Sequence, residues 1–397
     1  MGKVGSSIIT IVVMVVIWGA GFAFLTSQFA QGGLNNLNGP GALASESEDN
    51  VWKPELQVGA ENYLLVGVDS RQGNNANVGA GDTSITGTRT DTIMIVHVSA
   101  DKNKVSSISI PRDLSVTQPG CEAWDSTTGD YGEPMSVEHD VKINSTFSQG
   151  GPRCLVRVLT DLTGLKFTRY AGIDFSGFES MVDTMGGVEV CSEYPLNDDV
   201  LGHIMDEGSH TISGSQALDY VRARNIPEEG NSDYSRIHRQ QAFLASIVSR
   251  LTNDGTLSNP NTAMTLVKQF ISNSFGENIT VNNLVDMGFM LSTINPDNIV
   301  FLTLPTKGAN SKWNEVPDEE GISELFQAII MDDLRGLENL QTAPKETEEE
   351  EPESTTESTT ESGDSQTQDA VTPAPSETEN SLNNGSNITV GGSGLCG

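Results

Sequence analysis

The chain has 397 residues, a length that allows one large domain or two with appended segments. Its formal net charge is −32, and no basic face of the kind that nucleic-acid binders carry is visible. Residues 341–380 hold twelve acidic residues and one Lys, so this stretch alone contributes −11. The composition argues against a nucleic-acid partner and marks the C-terminal region as a separate acidic tract.

An apolar segment near the N-terminus predicts where the protein resides. Residues 8–25 are apolar apart from Thr10, and no charged residue lies between Lys3 and Glu46. A helix of this length spans about 27 Å, close to the ~30 Å hydrocarbon core of a bilayer. Since Lys3 on the short flank favours a cytoplasmic N-terminus, we expect a single-pass protein of the cell membrane with its body extracellular. A cleaved signal peptide is the alternative, and it also takes the body out of the cytoplasm.

The remaining chain divides by composition into linker, folded body and tail. We predict a cytoplasmic stub (1–7), a transmembrane anchor (8–26), a Gly-, Asn- and Ser-rich flexible linker (27–55), a catalytic core (56–255), a C-terminal part of the folded domain (256–337) and an acidic disordered tail (338–397). The tail has almost no large apolar residues, so it cannot offset the entropy lost on ordering.

Within the body, apolar runs alternate between strand and helix patterns. Strands are predicted at 62–68, 91–98, 105–110, 170–174, 188–190 and 299–304. Helices are predicted at 152–163, 175–185, 213–222 and 233–251, with two more in the C-terminal part. This mixed order predicts an α/β fold, a three-layer α/β/α sandwich with a mixed central sheet.

Three charged side chains lie at the ends of predicted strands. Asp69 and Arg112 each follow a strand, and Asp91 begins the strand between them. Ligands of open α/β sheets sit beyond the carboxyl ends of strands, and Mg²⁺ is held by one or two carboxylates together with substrate phosphates. Asp69 and Asp91 therefore form a candidate metal site if their strands are neighbours. The alternatives are a turn-forming Asp69 and a solvated Arg112.

The strongest chemical signal is a cluster of arginines at 222, 224, 236 and 239, in a chain with only 22 basic residues. On a helix, Asp233, Arg236 and Gln240 fall on one face. The planar guanidinium binds phosphate oxygens in pairs and keeps its charge at working pH, so the cluster predicts a phosphate site. A surface helix with solvated salt bridges is the alternative. No nucleophile–base pair stands out, and any catalysis should be electrostatic and metal-assisted.

The four cysteines fit an oxidising exterior, and they allow three disulfide connectivities among which spacing does not choose. The histidines are scattered and no C-x-x-C spacing occurs. A zinc site is therefore not expected.

Taken in order, these stretches resemble the LytR-CpsA-Psr (LCP) family of cell-wall glycopolymer ligases. The resemblance spans about 180 of the 397 residues and is carried by segments 62–71, 88–98, 107–116, 142–152, 175–190, 201–224 and 233–244. It implies an enzyme that moves a glycopolymer from a polyprenyl-pyrophosphate carrier to peptidoglycan through a phosphodiester. Two alternatives stay open: a polyprenyl-pyrophosphate phosphatase, and a non-enzymatic binding or regulatory protein of the cell surface.

The resemblance also implies roles for individual residues. Asp69 and Asp91 would hold Mg²⁺, and Asp233 would orient the arginines or assist proton transfer. The pyrophosphate would be bound by Arg89, Arg112, Arg222, Arg224, Arg236 and Gln240, with Arg112, Arg222, Arg224 and Asp233 as the catalytic groups. The lipid would occupy an apolar tunnel near helices such as 175–185.

The cysteine-bearing segments look like those of actinobacterial members of the family, for which the glycopolymer would be arabinogalactan. The same resemblance favours a Cys121–Cys154 pair. Ser209 stands where some relatives carry a cysteine that would join Cys191, so the partner of Cys191 stays open, with Cys396 as one candidate.

Overall fold

The computed structural model describes residues 41–45, 50–69, 89–230, 233–253, 260–333 and 388–389. The predicted anchor and most of the tail lie outside these residues. None of the helices within the described ranges is both long and apolar enough to cross a membrane.

Seventeen strands and seven α-helices make up this part of the chain, numbered here in chain order. The strands are β1 (Glu61–Asp69), β2 (Arg89–Val98), β3 (Val105–Ile110), β4 (Ser115–Gln118), β5 (Glu122–Trp124), β6 (Tyr131–Pro134), β7 (Glu138–Lys142), β8 (Arg169–Asp174), β9 (Val188–Ser192), β10 (Leu196–Asp198), β11 (Gly202–Met205), β12 (Gly208–Ile212), β13 (Ser274–Glu277), β14 (Ile299–Thr303), β15 (Thr306–Ala309), β16 (Glu315–Pro317) and β17 (Ile388–Thr389). The helices are α1 (Ile143–Thr163), α2 (Phe175–Thr184), α3 (Gly214–Arg222), α4 (Asp233–Asn253), α5 (Pro260–Asn273), α6 (Val281–Thr293) and α7 (Glu319–Ile330).

A seven-stranded mixed sheet forms the centre of the fold, in the order β13-β8-β1-β2-β3-β14-β17. Strand β1 pairs antiparallel with β2 and parallel with β8, and β3 pairs parallel with β14. The predicted mixed α/β fold is therefore confirmed. Because β1 and β2 are neighbours, Asp69 and Asp91 lie at the same end of the sheet, as the prediction of a shared site requires.

Helices cover both faces of this sheet. Successive strand residues point to opposite faces, so Leu64 and Val66 of β1 join the core formed with α1 and α7. Tyr63 and Leu65 belong to the core formed with α4 and α6. A further core unites α2, α3 and the β9–β12 pair with Phe243 of α4, and this lobe carries the arginines at the end of α3 and just after it.

Helix α1 begins earlier than its sequence pattern predicts. The prediction of 152–163 identified the straight second half, whereas the structure extends the helix back to Ile143 across a kink. Gly151 has φ 65° and ψ −166° at the kink, and Pro152 has no N–H to continue the ladder. A Cβ on Gly151 would lie 2.6 Å from the Trp124 ring, so the indole packs directly on the backbone there.

The short hairpin strands between 115 and 142 were not predicted. They are tied to α1 by the Cys121–Cys154 disulfide, with a Cα–Cα distance of 5.6 Å, which is the pair that the family resemblance favoured. Cys191 is also disulfide-bonded. Ser209 lies directly opposite Cys191 across the β9–β12 pair, so a cysteine at 209 would be placed to reach it.

Candidate functional site

A cavity of about 300 Å³ opens between the sheet and helices α2, α3 and α4. Its wall is mainly apolar, whereas its mouth carries charged and polar side chains from β2 and from the ends of α3 and α4. The apolar lining includes Leu65, Met94, Ile173, Phe175, Phe178, Leu218, Val221, Phe243 and Leu244. The polar lining includes Asp91, Asp198, Arg222, Arg224, Arg236 and Gln240. The cavity therefore suits a ligand with an anionic head and an apolar chain.

A β-bulge directs Asp91 toward the mouth of the cavity. Gly67 pairs with Thr92 and Val68 pairs with Thr90, which leaves Asp91 as the extra residue on β2. Bulges bend a strand locally and often re-aim a side chain beside an active site. Asp91 thus reaches Arg112, whose Nη1 donates to Asp91 Oδ1 at 2.7 Å.

Arg112 contacts three carboxylates at the mouth of the cavity. Its Nε lies 3.6 Å from Asp233 Oδ1 and 3.7 Å from Asp113 Oδ2. Burial lowers the pKa of Arg112, but the carboxylates of Asp91, Asp233 and Asp113 outweigh it and raise the pKa above its ordinary value. The guanidinium is therefore a fixed cation.

Asp233 and Arg236 form a buried pair at the start of α4. Arg236 Nη2 lies 2.7 Å from Asp233 Oδ1, and Arg236 is only 3% exposed. Burial raises the pKa of Asp233, although Arg236 and Arg112 act in the opposite direction. Burial likewise lowers the pKa of Arg236. A carboxylate with a raised pKa beside fixed cations can accept a proton during a reaction.

The C-terminal end of α3 and the turn that follows it present two more arginines. The guanidinium of Arg222 stacks on the Phe175 ring with its Cζ 4.2 Å from the centroid. The backbone of Arg224 is fixed by Asp198, whose Oδ2 accepts from the N–H groups of Arg224 and Asn225 at 2.8 Å each. Asp198 was not predicted from the sequence, because its partners are 26 and 27 positions away in the chain. Asp198 thus holds Arg224 at the mouth of the cavity and is not itself a member of the arginine cluster.

Gln240 and Arg239 join α4 to the rest of the site in different ways. Gln240 Nε2 donates to Thr92 Oγ1 at 3.1 Å and to the Val221 carbonyl at 3.0 Å. Arg239 donates to the carbonyls of Tyr220 and Ala223 and thereby caps the C-terminal end of α3. Of the four arginines that cluster in the sequence, Arg239 thus serves the helix end and is not among the residues that line the cavity.

Three donors of this cluster have no hydrogen-bond acceptor among the described residues: Arg112 Nε, Arg222 Nη1 and Arg236 Nε, all of them buried atoms. Buried guanidinium N–H groups rarely remain without an acceptor. Arg112 Nε still has the carboxylates of Asp233 and Asp113 at 3.6 and 3.7 Å, so Arg222 Nη1 and Arg236 Nε are the two donors that a ligand would have to satisfy. The alternative interpretation, that the cluster belongs to a surface helix with solvated salt bridges, is wrong, because Arg236 and Gln240 are buried against the sheet.

The structure describes two of the predicted site residues, Asp69 and Arg89, in less detail than the others. Asp69 ends β1 and pairs in register with Arg89 of β2. The side chain of Arg89 lies outside the described part of the structure. Within that part, no group of three or more His, Cys, Asp or Glu side chains converges as for a metal ion.

Residues 36–329 match the family model described as the LytR_cpsA_psr family. The chain belongs to this family. It is 29% identical over 328 residues to the cell wall biosynthesis protein LcpA of Corynebacterium glutamicum, covering 75% of this chain, and 36% identical over 203 residues to the "Probable cell wall biosynthesis protein LcpB" of the same organism, covering 50%. This chain spans 59% of the length of LcpA and 44% of that of LcpB.

A solved structure described as a LytR-Csp2A-Psr enzyme from Actinomyces oris has the same fold. Its TM-score is 0.52 at 22% identity, over 68% of this chain and 89% of that one. At this identity the comparison bears on the fold alone.

Proposed function

We propose that this protein transfers a glycopolymer from a polyprenyl-pyrophosphate carrier to peptidoglycan and leaves it joined by a phosphodiester. The observation that carries the proposal is that Arg222 Nη1 and Arg236 Nε, two buried guanidinium donors of residues that line an apolar cavity, have no hydrogen-bond acceptor among the described residues. A pyrophosphate supplies the acceptors that these donors lack, and a prenyl chain suits the apolar wall. Membership of the family and the cell-wall names of its Corynebacterium relatives support the same assignment.

In the proposed reaction, the oxygen of an acceptor hydroxyl attacks the phosphorus atom that bears the glycan. The bond from that phosphorus to the bridging oxygen breaks, and polyprenyl phosphate leaves with the electron pair. Asp233 takes the proton of the hydroxyl, a role that its raised pKa favours. Arg112, Arg222, Arg224 and Arg236 stabilise the charge that builds on the leaving phosphate.

The carboxylates of Asp69 and Asp91 fit a magnesium ion by their chemistry and position. They are oxygen donors at the same end of neighbouring strands, and Mg²⁺ takes one or two carboxylates and completes its shell with phosphates and water. When bound, the ion would neutralise charge on the phosphates. Since Asp91 also pairs with Arg112 at 2.7 Å, the same carboxylate would keep that arginine in place.

The proposal can be tested in a transfer reaction with three components: the full chain, a polyprenyl-pyrophosphate-linked glycan and peptidoglycan strands. We expect a covalent conjugate between glycan and peptidoglycan, released polyprenyl phosphate, and loss of both products on chelation of Mg²⁺. Arabinogalactan is the donor we propose to try first. Release of inorganic phosphate with no conjugate would favour the phosphatase, and binding of the donor with no turnover would favour a binding or regulatory protein.

A further inference from the structure

Trp313 combines two features that do not favour folding. Its side chain is 80% exposed, and its backbone has φ 60°, in the left-handed region that bulky residues rarely adopt. Conformations of this kind persist only where the surrounding structure imposes them, and they concentrate at functional sites. A single exposed aromatic residue needs no explanation by itself, so its location decides whether it has a role.

Trp313 lies in the turn of the β15–β16 hairpin, and Glu315 of the same hairpin contacts the residues that follow Arg112 and Asp233 in the chain. Glu315, two residues further on, donates its backbone N–H to the Asp113 carbonyl at 2.9 Å. Its side chain accepts from the Tyr234 hydroxyl at 3.2 Å. Tyr234 follows Asp233 directly in the chain. The hairpin that carries Trp313 is thus joined by hydrogen bonds to Asp113 and to the residue after Asp233, the carboxylate that accepts the acceptor proton in the proposed reaction.

The turn itself is rigid. Asn310 Oδ1 accepts from the backbone N–H groups of Lys312 and Asn314 at 2.9 and 3.1 Å. Asn314 is 4% exposed, and its Nδ2 donates to the Asp140 carbonyl at 3.0 Å, which ties the turn to the end of β7. A fixed turn presents the exposed ring in one orientation, and such a ring loses little entropy when a ligand stacks on it.

Two lysines belong to the turn and to β7, the strand to which the turn is tied. Lys312 precedes Trp313 and lies 3.7 Å from Asp140 in a pair that is about two-thirds exposed on both sides. Lys142 reaches Asp113 at 3.0 Å and is about one-third exposed. Lys312, the more exposed and more weakly paired of the two, favours a ligand that carries carboxylates.

We propose that Trp313 is the platform on which the acceptor glycan stacks during transfer; this inference rests on the proposed function. A β-linked hexose presents an apolar face of C–H groups, and the face of the indole ring carries partial negative charge that attracts them. Lys312, its neighbour in the chain, would meet the carboxylates of the peptidoglycan strand. Stacking on Trp313 would bring an acceptor hydroxyl toward Asp233, while the donor pyrophosphate remains on the arginines.

The test measures binding of soluble, un-cross-linked peptidoglycan strands to the full chain by calorimetry, and the KM of the same strands in the transfer reaction. Trp313→Ala should raise both the Kd and the acceptor KM about tenfold or more, as the loss of a central aromatic contact does. Trp313→Tyr should restore most of the affinity. Phe289→Ala is the matched control, because Phe289 is a 71% exposed aromatic residue on α6, and it should change neither constant. Circular dichroism of each variant checks the fold.

Trp313→Phe adds a spectroscopic test. Binding of the strands should alter the tryptophan fluorescence of the wild-type protein, and this change should vanish in Trp313→Phe while much of the affinity remains. Equal affinity of the wild-type protein and Trp313→Ala, or no binding by the wild type, would overturn the inference. If the wild type transfers glycan and Trp313→Ala does so with the same acceptor KM, the inference fails and the proposed function stands. If strands bind through Trp313 but no transfer occurs, the proposed function fails and the platform stands.

Discussion

Replacing Arg112 by alanine removes the cation on which the carboxylates at the mouth of the cavity converge. The variant loses the 2.7 Å bond to Asp91 and the contacts at 3.6 and 3.7 Å to Asp233 and Asp113. Loss of one charge-stabilising donor in a preorganised site costs about 10²–10³ in turnover. We therefore expect kcat to fall by that factor in Arg112→Ala and by less in Arg112→Lys, which keeps the charge and loses the planar fork.

The same substitution should cost some stability. Removing one partner of a fully buried ion pair costs about 3–5 kcal/mol. The side chains of Arg112 and Asp91 are 19% and 30% exposed, so solvent reduces the loss, and we expect about 1–2 kcal/mol in a urea titration. Turnover should therefore fall by far more than the unfolding equilibrium can explain.

Arg169→Ala is the matched control for this experiment. Arg169 is 17% exposed and pairs with Glu61 at 3.0 Å, at the far end of β1 from the cavity mouth. We expect a similar loss of stability with turnover unchanged, measured as conjugate formed from the polyprenyl-pyrophosphate donor. Turnover of a folded Arg112→Ala protein within about threefold of wild type would refute the assignment of Arg112 as a charge-stabilising group.

Further predictions concern Asp198, Asp233, the disulfide and Gly151. Asp198→Ala leaves four backbone N–H groups without their acceptor, those of Val200, Leu201, Arg224 and Asn225. The KM for the donor should therefore rise, and the unfolding free energy should fall by about 2–5 kcal/mol. Because burial raises the pKa of Asp233, the rate should decline as pH falls through a value above that of an ordinary aspartate, and Asp233→Asn should lower kcat and abolish this acidic limb of the pH–rate profile. The Cys121–Cys154 bond spans a separation of 33 residues, so replacing both cysteines by serine should lower the unfolding free energy by about 2–4 kcal/mol in a denaturant titration. Gly151→Ala meets the Trp124 ring at a position with φ 65° and should lower the melting temperature. Alanine at Gly132, where its Cβ would make only an ordinary contact at 3.7 Å with the Ala123 carbonyl oxygen, should change it little.

The central strands could be predicted because each carries an apolar run with a clear end. The runs at 62–68 and 105–110 lie within β1 and β3, and burial on both faces of the sheet accounts for their composition. The strands β5 and β6 gave no such signal, since they are short and mostly exposed. Their position depends on a disulfide and on packing against α1, which are contacts distant in sequence.

The site was predicted in its residue types and only partly in its geometry. The sequence placed Asp91 and Arg112 at the ends of predicted strands, and the strand order of the structure brings these ends together at one end of the sheet. The bulge that turns Asp91 toward Arg112 left no mark in the sequence, because it appears only as a shift in the register of β1 against β2. Arg236 and Arg239 look alike in the sequence, yet one lines the cavity and the other caps α3. Tertiary contacts alone separate the two roles.

A crystal structure of the full chain with a bound polyprenyl-pyrophosphate donor tests the central claim most directly. The account predicts pyrophosphate oxygens within hydrogen-bond distance of Arg222 Nη1 and Arg236 Nε, with the prenyl chain inside the cavity beside Phe178 and Leu218. Phosphates bound away from these guanidinium groups, or a prenyl chain bound outside the cavity, would contradict it.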